Sequence, residues 1–312
     1  MPDNYGQGML PTELAPEAIV ADSGSTVGPD AQHSLWGNVF RRLRTKVSFW
    51  FGAIVLLVMI FIAIFPGVVA HKDPRASDLS SNYQSPSGSH WFGTDQQGYD
   101  YFAQVIYGAR NSLSIGILAV IGVLVIGTAV GVFAGFYGGW VDSVLARITD
   151  IFFGIPLVLG ATIVLTVNHD RTIWMVALAM VAFGWMTAMR LVRASVVAIK
   201  DADFVQAARA LGVSTPRILW RHILPNAIGP VIVYATITIG ILIALEATLT
   251  FLGLGLQKPA LSWGLQINTA QADFKNYPYL VFFPAAFLSM TVLAFMALGD
   301  ALREALDPRS QR

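Results

Sequence analysis

Long apolar runs, separated by shorter polar segments, dominate the chain. About twenty consecutive apolar residues are needed for a helix to cross the hydrocarbon core of a bilayer. Runs of this length predict an all-α, polytopic membrane protein with six transmembrane helices, at residues 47–70, 112–137, 145–167, 173–189, 227–250 and 279–298.

One polar, basic segment between two of these runs also has a helical pattern: residues 203–226, DFVQAARALGVSTPRILWRHILPN. Phe204, Ala207, Ala208 and Leu211 recur at helical spacing, and Gly212 stands where a left-handed C-terminal cap would end a helix. The first half of the segment is therefore predicted to be a short helix followed by a glycine hinge.

The second half of the segment predicts another short helix. Ser214 or Thr215 can cap its N-terminus, and Pro216 suits its first turn. Ile218, Leu219 and Ile223 supply an apolar stripe, and Pro225 is expected to break the helix. The whole segment thus reads as helix, hinge, helix, and we interpret it as a docking element.

Composition and charge support a membrane protein and give it an orientation. Hydrophobic residues make up 55% of the chain and charged residues 12%, and there is no cysteine to form a disulfide or a thiolate metal site. Of the 20 Lys and Arg residues, fourteen fall on the side of the N-terminus. Positive loops tend to stay inside, so both termini and the 203–226 segment are expected in the cytoplasm.

Four regions follow from this pattern. Residues 1–34 carry acidic residues but no Lys or Arg, with several Pro and Gly, and are predicted to be a disordered cytoplasmic tail. Residues 35–70 are a basic cytoplasmic segment and the first transmembrane helix, and 71–111 are an extracytoplasmic loop. Residues 112–312 are a five-helix core that contains the cytoplasmic loop 198–226.

The docking segment resembles the E-A-A loop of the membrane subunits of ATP-binding-cassette importers. That pattern is E-A-A, three residues, G, nine residues, then I-x-L-P. Gln206 stands in place of its Glu, and His222 in place of its Ile. The matching residues are Ala207, Ala208, Gly212, Leu224 and Pro225.

Other motifs resemble the C-type permease subunits of dipeptide and oligopeptide importers. They are residues 90–100 (HWFGTDQQGYD, with Tyr99 where Arg is usual), 108–113 (GARNSL), 251–256 (FLGLGL) and 262–264 (SWG). The first two could form a surface for a binding protein or for closing the outer mouth, or they could be a structural turn followed by a helix cap. The resemblance covers most of the chain from about residue 91 to 308.

This resemblance implies a type I importer permease fold in the bacterial inner membrane. It also implies a second homologous permease, two ATPase subunits or domains, and an extracytoplasmic solute-binding protein as partners, with the lipid bilayer around them and no nucleic acid. Peptides are the expected cargo. Nickel chelates or another small solute are the alternative within the family.

The sequence contains no phosphate-binding loop of the form G-x-x-x-x-G-K-[ST]. We therefore expect a non-catalytic subunit that binds no cofactor, with ATP and Mg²⁺ on partner ATPases that act through the docking segment. The small residues are expected to enter a groove of the partner, and the arginines could pair with its acidic residues or with solvent and anionic lipid. The candidate coupling residues are Asp203, Gln206, Ala207, Ala208, Arg209, Gly212, Arg217, Arg221, Leu224 and Pro225.

Two features inside the spans are also candidates. Gly127, Gly131 and Gly135 recur every four residues, a pattern that lets helix backbones approach closely in lipid, more plausibly within the monomer than in a dimer. Glu246 lies in an apolar run and should face protein or water, either in a structural role or along the translocation path.

Other classes of function have less support. A stand-alone channel needs no ATPase-docking loop, and an intramembrane enzyme needs converging polar groups that the spans lack. The five histidines show no metal-ligand spacing, so no metal site is predicted.

Overall fold

The computed structural model describes residues 35–168 and 170–306, so the predicted tail 1–34 lies outside the described residues. From Val39 onward the described residues form one compact unit. The fold is all-α, as the sequence predicts, and one isolated bridge between Thr94 and Asp100 is the only β pairing in the described part. The helices are α1 (Leu35–Leu43), α2 (Val47–Ile64), α3 (Pro66–Val69), α4 (Tyr101–Tyr137), α5 (Gly139–Phe153), α6 (Leu157–Val167), α7 (Ile173–Ile199), α8 (Asp203–Ala210), α9 (Thr215–Ile218), α10 (Leu224–Phe251), α11 (Trp263–Ala270) and α12 (Tyr279–Leu306).

Among the described residues, five helices are long and apolar enough to cross a membrane: α2, α4, α7, α12 and the continuous helical stretch Thr215–Phe251. The sixth predicted span, 145–167, is not a single straight helix. It is divided between α5 and α6, which meet at an angle of 78°. Pro156 has no N–H to continue α5 and disfavours helical geometry at Ile155, so the chain turns after Gly154.

Several spans have bounds that hydropathy did not predict. α2 ends at Ile64, before Pro66, rather than at residue 70. α4 begins at Tyr101, eleven residues before the predicted span, because the Asp100 carboxylate accepts the Ala103 N–H and caps it. These differences arise at polar or proline residues, where capping decides the helix end.

Pro225 does not break the second helix of the docking segment, contrary to the sequence prediction. The chain passes from α9 through a π-helical turn, Leu219–Ile223, directly into α10. The Leu224 N–H donates to the Leu219 carbonyl, five residues back, and the wider turn accommodates a proline in the first turn of α10. The docking segment is therefore joined to a membrane helix without interruption.

The two ends of the bundle differ in structure. We call the end that carries residues 71–100 and 252–278 the loop end, and the other the α8 end.

Buried side chains of α2, α4, α11 and α12 form one apolar core, and those of α4, α6, α7 and α10 form another. A smaller cluster lies beneath α8 and α9.

Candidate functional site

The turn between α8 and α9 is a Schellman motif built around Gly212. Its φ is +75°, in the left-handed region that glycine adopts without strain. The Val213 N–H donates to the Ala208 carbonyl at 3.1 Å and the Gly212 N–H to the Arg209 carbonyl at 2.9 Å. The predicted glycine hinge is thus a defined, hydrogen-bonded reversal of the chain.

The inner face of this helical hairpin packs on the ends of α4 and α7. Val205 and Ala208 of α8, with Ile218 and Ile223 of the following helix, are buried in a cluster with Val192, Val196 and Phe136. The Arg209 guanidinium lies 5.4 Å from the centre of the Phe136 ring, a cation–π contact. The hairpin is therefore anchored to two long membrane helices.

The outer face of the hairpin is apolar and exposed. Phe204 is 45%, Leu211 83% and Trp220 73% exposed. Ala207 is exposed between them, whereas Ala208 is only 6% exposed. The sequence placed the two alanines together on a groove-entering face, but Ala208 is turned toward the core and only Ala207 is available to a partner.

The remaining coupling candidates lie around this face. Asp203, Gln206, Arg217, Arg221 and Pro225 are exposed and Leu224 is half-buried. Sequence reasoning missed Trp220. A large aromatic residue within a polar loop is the signal that could have identified it, since exposed aromatic side chains are typical binding anchors.

Two of the arginines near this end belong to α7 and are tied to α5. Arg193 makes a two-point contact with Asp142, with both N–O distances 2.5 Å, and Arg190 donates to Asp150 at 2.7 Å. Bidentate arginine–carboxylate geometry fixes direction as well as distance. These pairs hold α5 beside α7 despite the break before α6.

The three α4 glycines lie against α7. An added Cβ at Gly127 would come within 2.5 Å of the Ala188 Cβ, at Gly131 within 2.7 Å of the Met189 carbonyl oxygen, and at Gly135 within 2.9 Å of the Arg193 carbonyl oxygen. The stripe therefore permits close backbone approach inside this chain.

The signature residues at the loop end mainly cap and join helices. Arg110 donates to the Ala63 and Ile64 carbonyls at 2.9 and 3.0 Å, which satisfies the C-terminus of α2. Asn111 donates to the Leu261 carbonyl at 2.7 Å. Of the two readings of this motif, these contacts favour the structural one.

Partly buried polar groups form hydrogen bonds within the same loop. Asp95 accepts the backbone N–H groups of Gln97 and Tyr99 at 2.9 and 3.0 Å, yet burial raises the pKa of its carboxyl above the ordinary value. Burial, with a hydrogen bond to Asp273, raises the pKa of Tyr83 to about 12. The Tyr83 hydroxyl thus stays protonated and donates to Asp273.

Glu246 is 0% exposed, between α10, α4 and the start of α11. Its Oε1 accepts from the Thr250 hydroxyl at 2.9 Å, and Oε2 has no hydrogen-bond partner among the described residues. A carboxyl group enclosed in this way lies against protein and not against lipid.

Membrane-length helices bearing an exposed helical hairpin at one end are the architecture expected of the membrane subunit of a transporter. The profile of the family described as "binding-protein-dependent transport system inner membrane component" matches residues 127–312, and that of the "N-terminal TM domain of oligopeptide transport permease C" matches residues 34–86. The chain belongs to the family of binding-protein-dependent inner-membrane permeases, which confirms the resemblance read from its motifs.

Curated relatives match nearly the whole chain. It is 38% identical over 280 residues to the dipeptide transport system permease protein DppC of Alkalihalophilus pseudofirmus, covering 88% of this chain and 90% of that protein. It is 37% identical to the oligopeptide transport system permease protein OppC of Bacillus subtilis, covering 89% and 91%. It is 39% identical to the glutathione transport system permease protein GsiD of Escherichia coli, covering 91% and 93%.

Solved structures support the fold. A chain of the MetNI methionine ABC transporter, in inward-facing conformations, aligns with a TM-score of 0.53 at 19% identity, covering 65% of this chain and 96% of that chain. A second crystal form of that transporter gives a TM-score of 0.52 at 17% identity, with the same coverage. The fold is that of an ABC importer permease.

Proposed function

We propose that this chain is one of two permease subunits of an ATP-driven peptide importer and forms half of its translocation path. The second permease is a homologous chain. ATPase subunits or domains dock at the α8 end, and an extracytoplasmic binding protein delivers solute at the loop end. Both termini and the hairpin face the cytoplasm, consistent with the excess of Lys and Arg on that side.

The observation that carries this proposal is the exposed apolar face of the hairpin. Phe204, Leu211 and Trp220 are exposed, and the small Ala207 is exposed at helical spacing from the first two, which leaves a surface that a groove on another protein can accept. The hairpin is anchored below by its buried face, so force applied to it reaches α4, α7 and α10. The chain has no phosphate-binding loop, and energy from ATP must enter by such a contact.

The names of the relatives favour peptides as cargo. DppC, OppC and GsiD are named for dipeptides, oligopeptides and glutathione, all of which are peptides. These names favour the peptide reading over nickel chelates. Docking of the binding protein would involve exposed residues of the loop end, such as Trp91 and Leu79.

Reconstitution tests the proposal. The chain is co-expressed with a candidate second permease, candidate ATPases and a candidate binding protein of the same transport family, and uptake of a labelled dipeptide into proteoliposomes is measured. We expect uptake to require ATP and the binding protein, and Leu211→Glu to abolish both uptake and ATPase co-purification. Leu79→Glu, equally exposed but at the loop end, is the control for co-purification. Uptake without the ATPases would overturn the proposal.

Orientation has a separate test. Because the sequence has no cysteine, Leu211→Cys and Leu79→Cys each provide a single labelling site. In intact cells an impermeant maleimide should label Leu79→Cys alone. Labelling of Leu211→Cys would reverse the orientation.

A further inference from the structure

The buried Glu246 carboxylate lies at the centre of three hydroxyl groups. The Thr250 hydroxyl donates to Oε1 at 2.9 Å, and the Ser112 and Ser262 hydroxyls lie near the same carboxyl group. All four residues are buried, with Glu246, Thr250, Ser112 and Ser262 each 0% exposed. A carboxylate in such a place needs hydrogen-bond donors to offset its loss of hydration.

Each hydroxyl also accepts a backbone N–H. A hydroxyl that accepts from the main chain still has its own proton to donate, and here that proton can go to the carboxylate. The backbone donors are Leu256 N to Thr250 Oγ1 at 3.3 Å, Trp263 N to Ser112 Oγ at 3.2 Å, and Leu265 N to Ser262 Oγ at 3.3 Å.

These backbone donors all belong to the turn that follows α10, residues 252–262, or to the first turn of α11. The turn is tightly fitted: a Cβ on Gly255 would lie 2.0 Å from Thr250 Oγ1, and one on Gly264 would lie 2.6 Å from the Ala247 Cα. The same region lines a cavity of about 300 Å³ at the loop end, with Lys258, Leu261 and Gln266 in its wall. Glu246 thus holds together one side of that cavity.

The other end of the same helical stretch belongs to the docking hairpin. Helix runs without interruption from Thr215, through the π-helical turn and α10, to Phe251. Trp220 is exposed near one end, and Glu246 is buried near the other. A displacement of the hairpin is therefore transmitted to Glu246 and Thr250 along one continuous helix.

We propose that Glu246 is a positioning residue of the transport cycle. Through Thr250, Ser112 and Ser262 it fastens the 252–262 turn and the start of α11 to α10 and α4, so that the loop end moves with α10. This inference rests on the proposed function, because the movement begins with ATPases at the hairpin. It assigns the carboxylate to mechanical coupling and not to contact with the solute.

A spin label on the turn tests the inference directly. Gln257 is exposed in the turn, and Gln257→Cys gives the only thiol of the chain. In the reconstituted importer we expect the label's spectrum to change when ATP binds. Thr250→Val removes the hydroxyl at nearly constant volume, and should reduce that change by at least half and lower the maximal uptake rate at least fivefold with KM unchanged.

A matched control lies on the same helix. Thr248 is exposed, and its hydroxyl bonds only the Ala244 carbonyl within its own helix, so Thr248→Val should keep both the spectral change and uptake. Thr250→Ser, which keeps the hydroxyl, should restore both. In a Glu246→Gln background, Thr250→Val should add little further loss, because the two residues act as one unit.

Equal behaviour of the Thr250→Val and Thr248→Val variants would overturn the inference. The inference would also be overturned if ATP binding did not change the spectrum of the label in the importer that carries Gln257→Cys alone. Co-purification of the ATPases decides separately whether the proposed function also fails, because docking at the hairpin does not depend on the turn.

Discussion

Small residues line both α4, where it meets α7, and the hairpin at the α8 end, but their surroundings are opposite. On α4, a Cβ added to Gly131 would lie 2.7 Å from the Met189 carbonyl oxygen and 2.9 Å from the Val192 Cβ. On the hairpin, a Cβ on Gly212 would have no heavy atom within 4 Å, and Ala207 is exposed. The α4 glycines are small because α7 of this chain fills the space beside them. We infer that the hairpin residues are small because a partner protein fills the space beside them.

Small residues therefore have different physical roles in the two regions: packing within the chain on α4, and contact with a partner on the hairpin. Substitution on α4 should damage folding, whereas substitution on the outer hairpin should spare folding and damage coupling. Stability and transport, measured side by side, therefore distinguish the two regions.

The largest expected effect is at the α4 glycines. Gly131→Ala forces a methyl group against the α7 backbone, which cannot yield as a side chain can, and should cost about 1–3 kcal/mol of stability. Fluorescence-detected size exclusion after heating should show a clear fall in midpoint temperature. Gly229→Ala, in α10 with nothing within 4 Å of its Cβ, should be neutral or slightly stabilising. Equal midpoint temperatures for Gly131→Ala and Gly229→Ala would contradict a packing role for the α4 glycines.

The second effect is at the hinge of the hairpin. Gly212→Val places a β-branched residue at a φ of +75°, which costs roughly 1–2 kcal/mol locally and should distort the reversal between α8 and α9. Uptake should be lost while membrane insertion and expression are retained. Gly212→Asn, which tolerates this conformation better, should keep much of the activity. Normal uptake by Gly212→Val would contradict the docking role.

Neighbouring alanines of α8 provide a matched pair, in which only the exposed residue tests coupling. Ala208→Leu overpacks the buried cluster and should lower stability by about 1–3 kcal/mol. Ala207→Leu adds the same atoms to an exposed position, so it should leave the free energy of unfolding within about 0.5 kcal/mol of the parent yet reduce ATPase co-purification. The reverse pattern would place the docking face on the other side of α8.

The smallest effect is expected at the loop end, which serves as a reference outside both regions. The Asp95 pKa is raised in the folded protein above its ordinary value, so its carboxyl favours folding when protonated and this contribution is lost as pH rises through the folded pKa. Asp95→Asn should therefore melt slightly higher than the parent at pH 7. The difference should shrink as the pH falls toward 4, with uptake unaffected.

Hydropathy and motif spacing predicted most of the fold but not how the helices end. The apolar runs located the membrane helices, since burial in lipid depends on composition over a whole run. The two prolines reversed expectation: Pro156 breaks a predicted span, and Pro225 continues a helix that it was expected to end. Whether a π-helical turn can accommodate a proline depends on the tertiary packing around that turn, and the order of residues in the sequence does not show this packing.

The candidate sites divide in the same way. Spacing alone identified the stripe at Gly127, Gly131 and Gly135, but its partner, α7, follows only from the tertiary fold. Adjacent alanines were expected to act together, although successive residues of a helix point about 100° apart and the core lies on one side only. The hydroxyls around Glu246 come from positions as far apart as 112 and 262, so no local pattern joins them.

The uninterrupted helix from Thr215 to Phe251 is also a lever. Its 37 residues at 1.5 Å each give a length of about 55 Å. A tilt of only ~5° about one end would then carry the other end through roughly 5 Å, more than the width of a water molecule. Even a slight rotation of the hairpin could therefore open or close a gap large enough to matter to a solute at the far end.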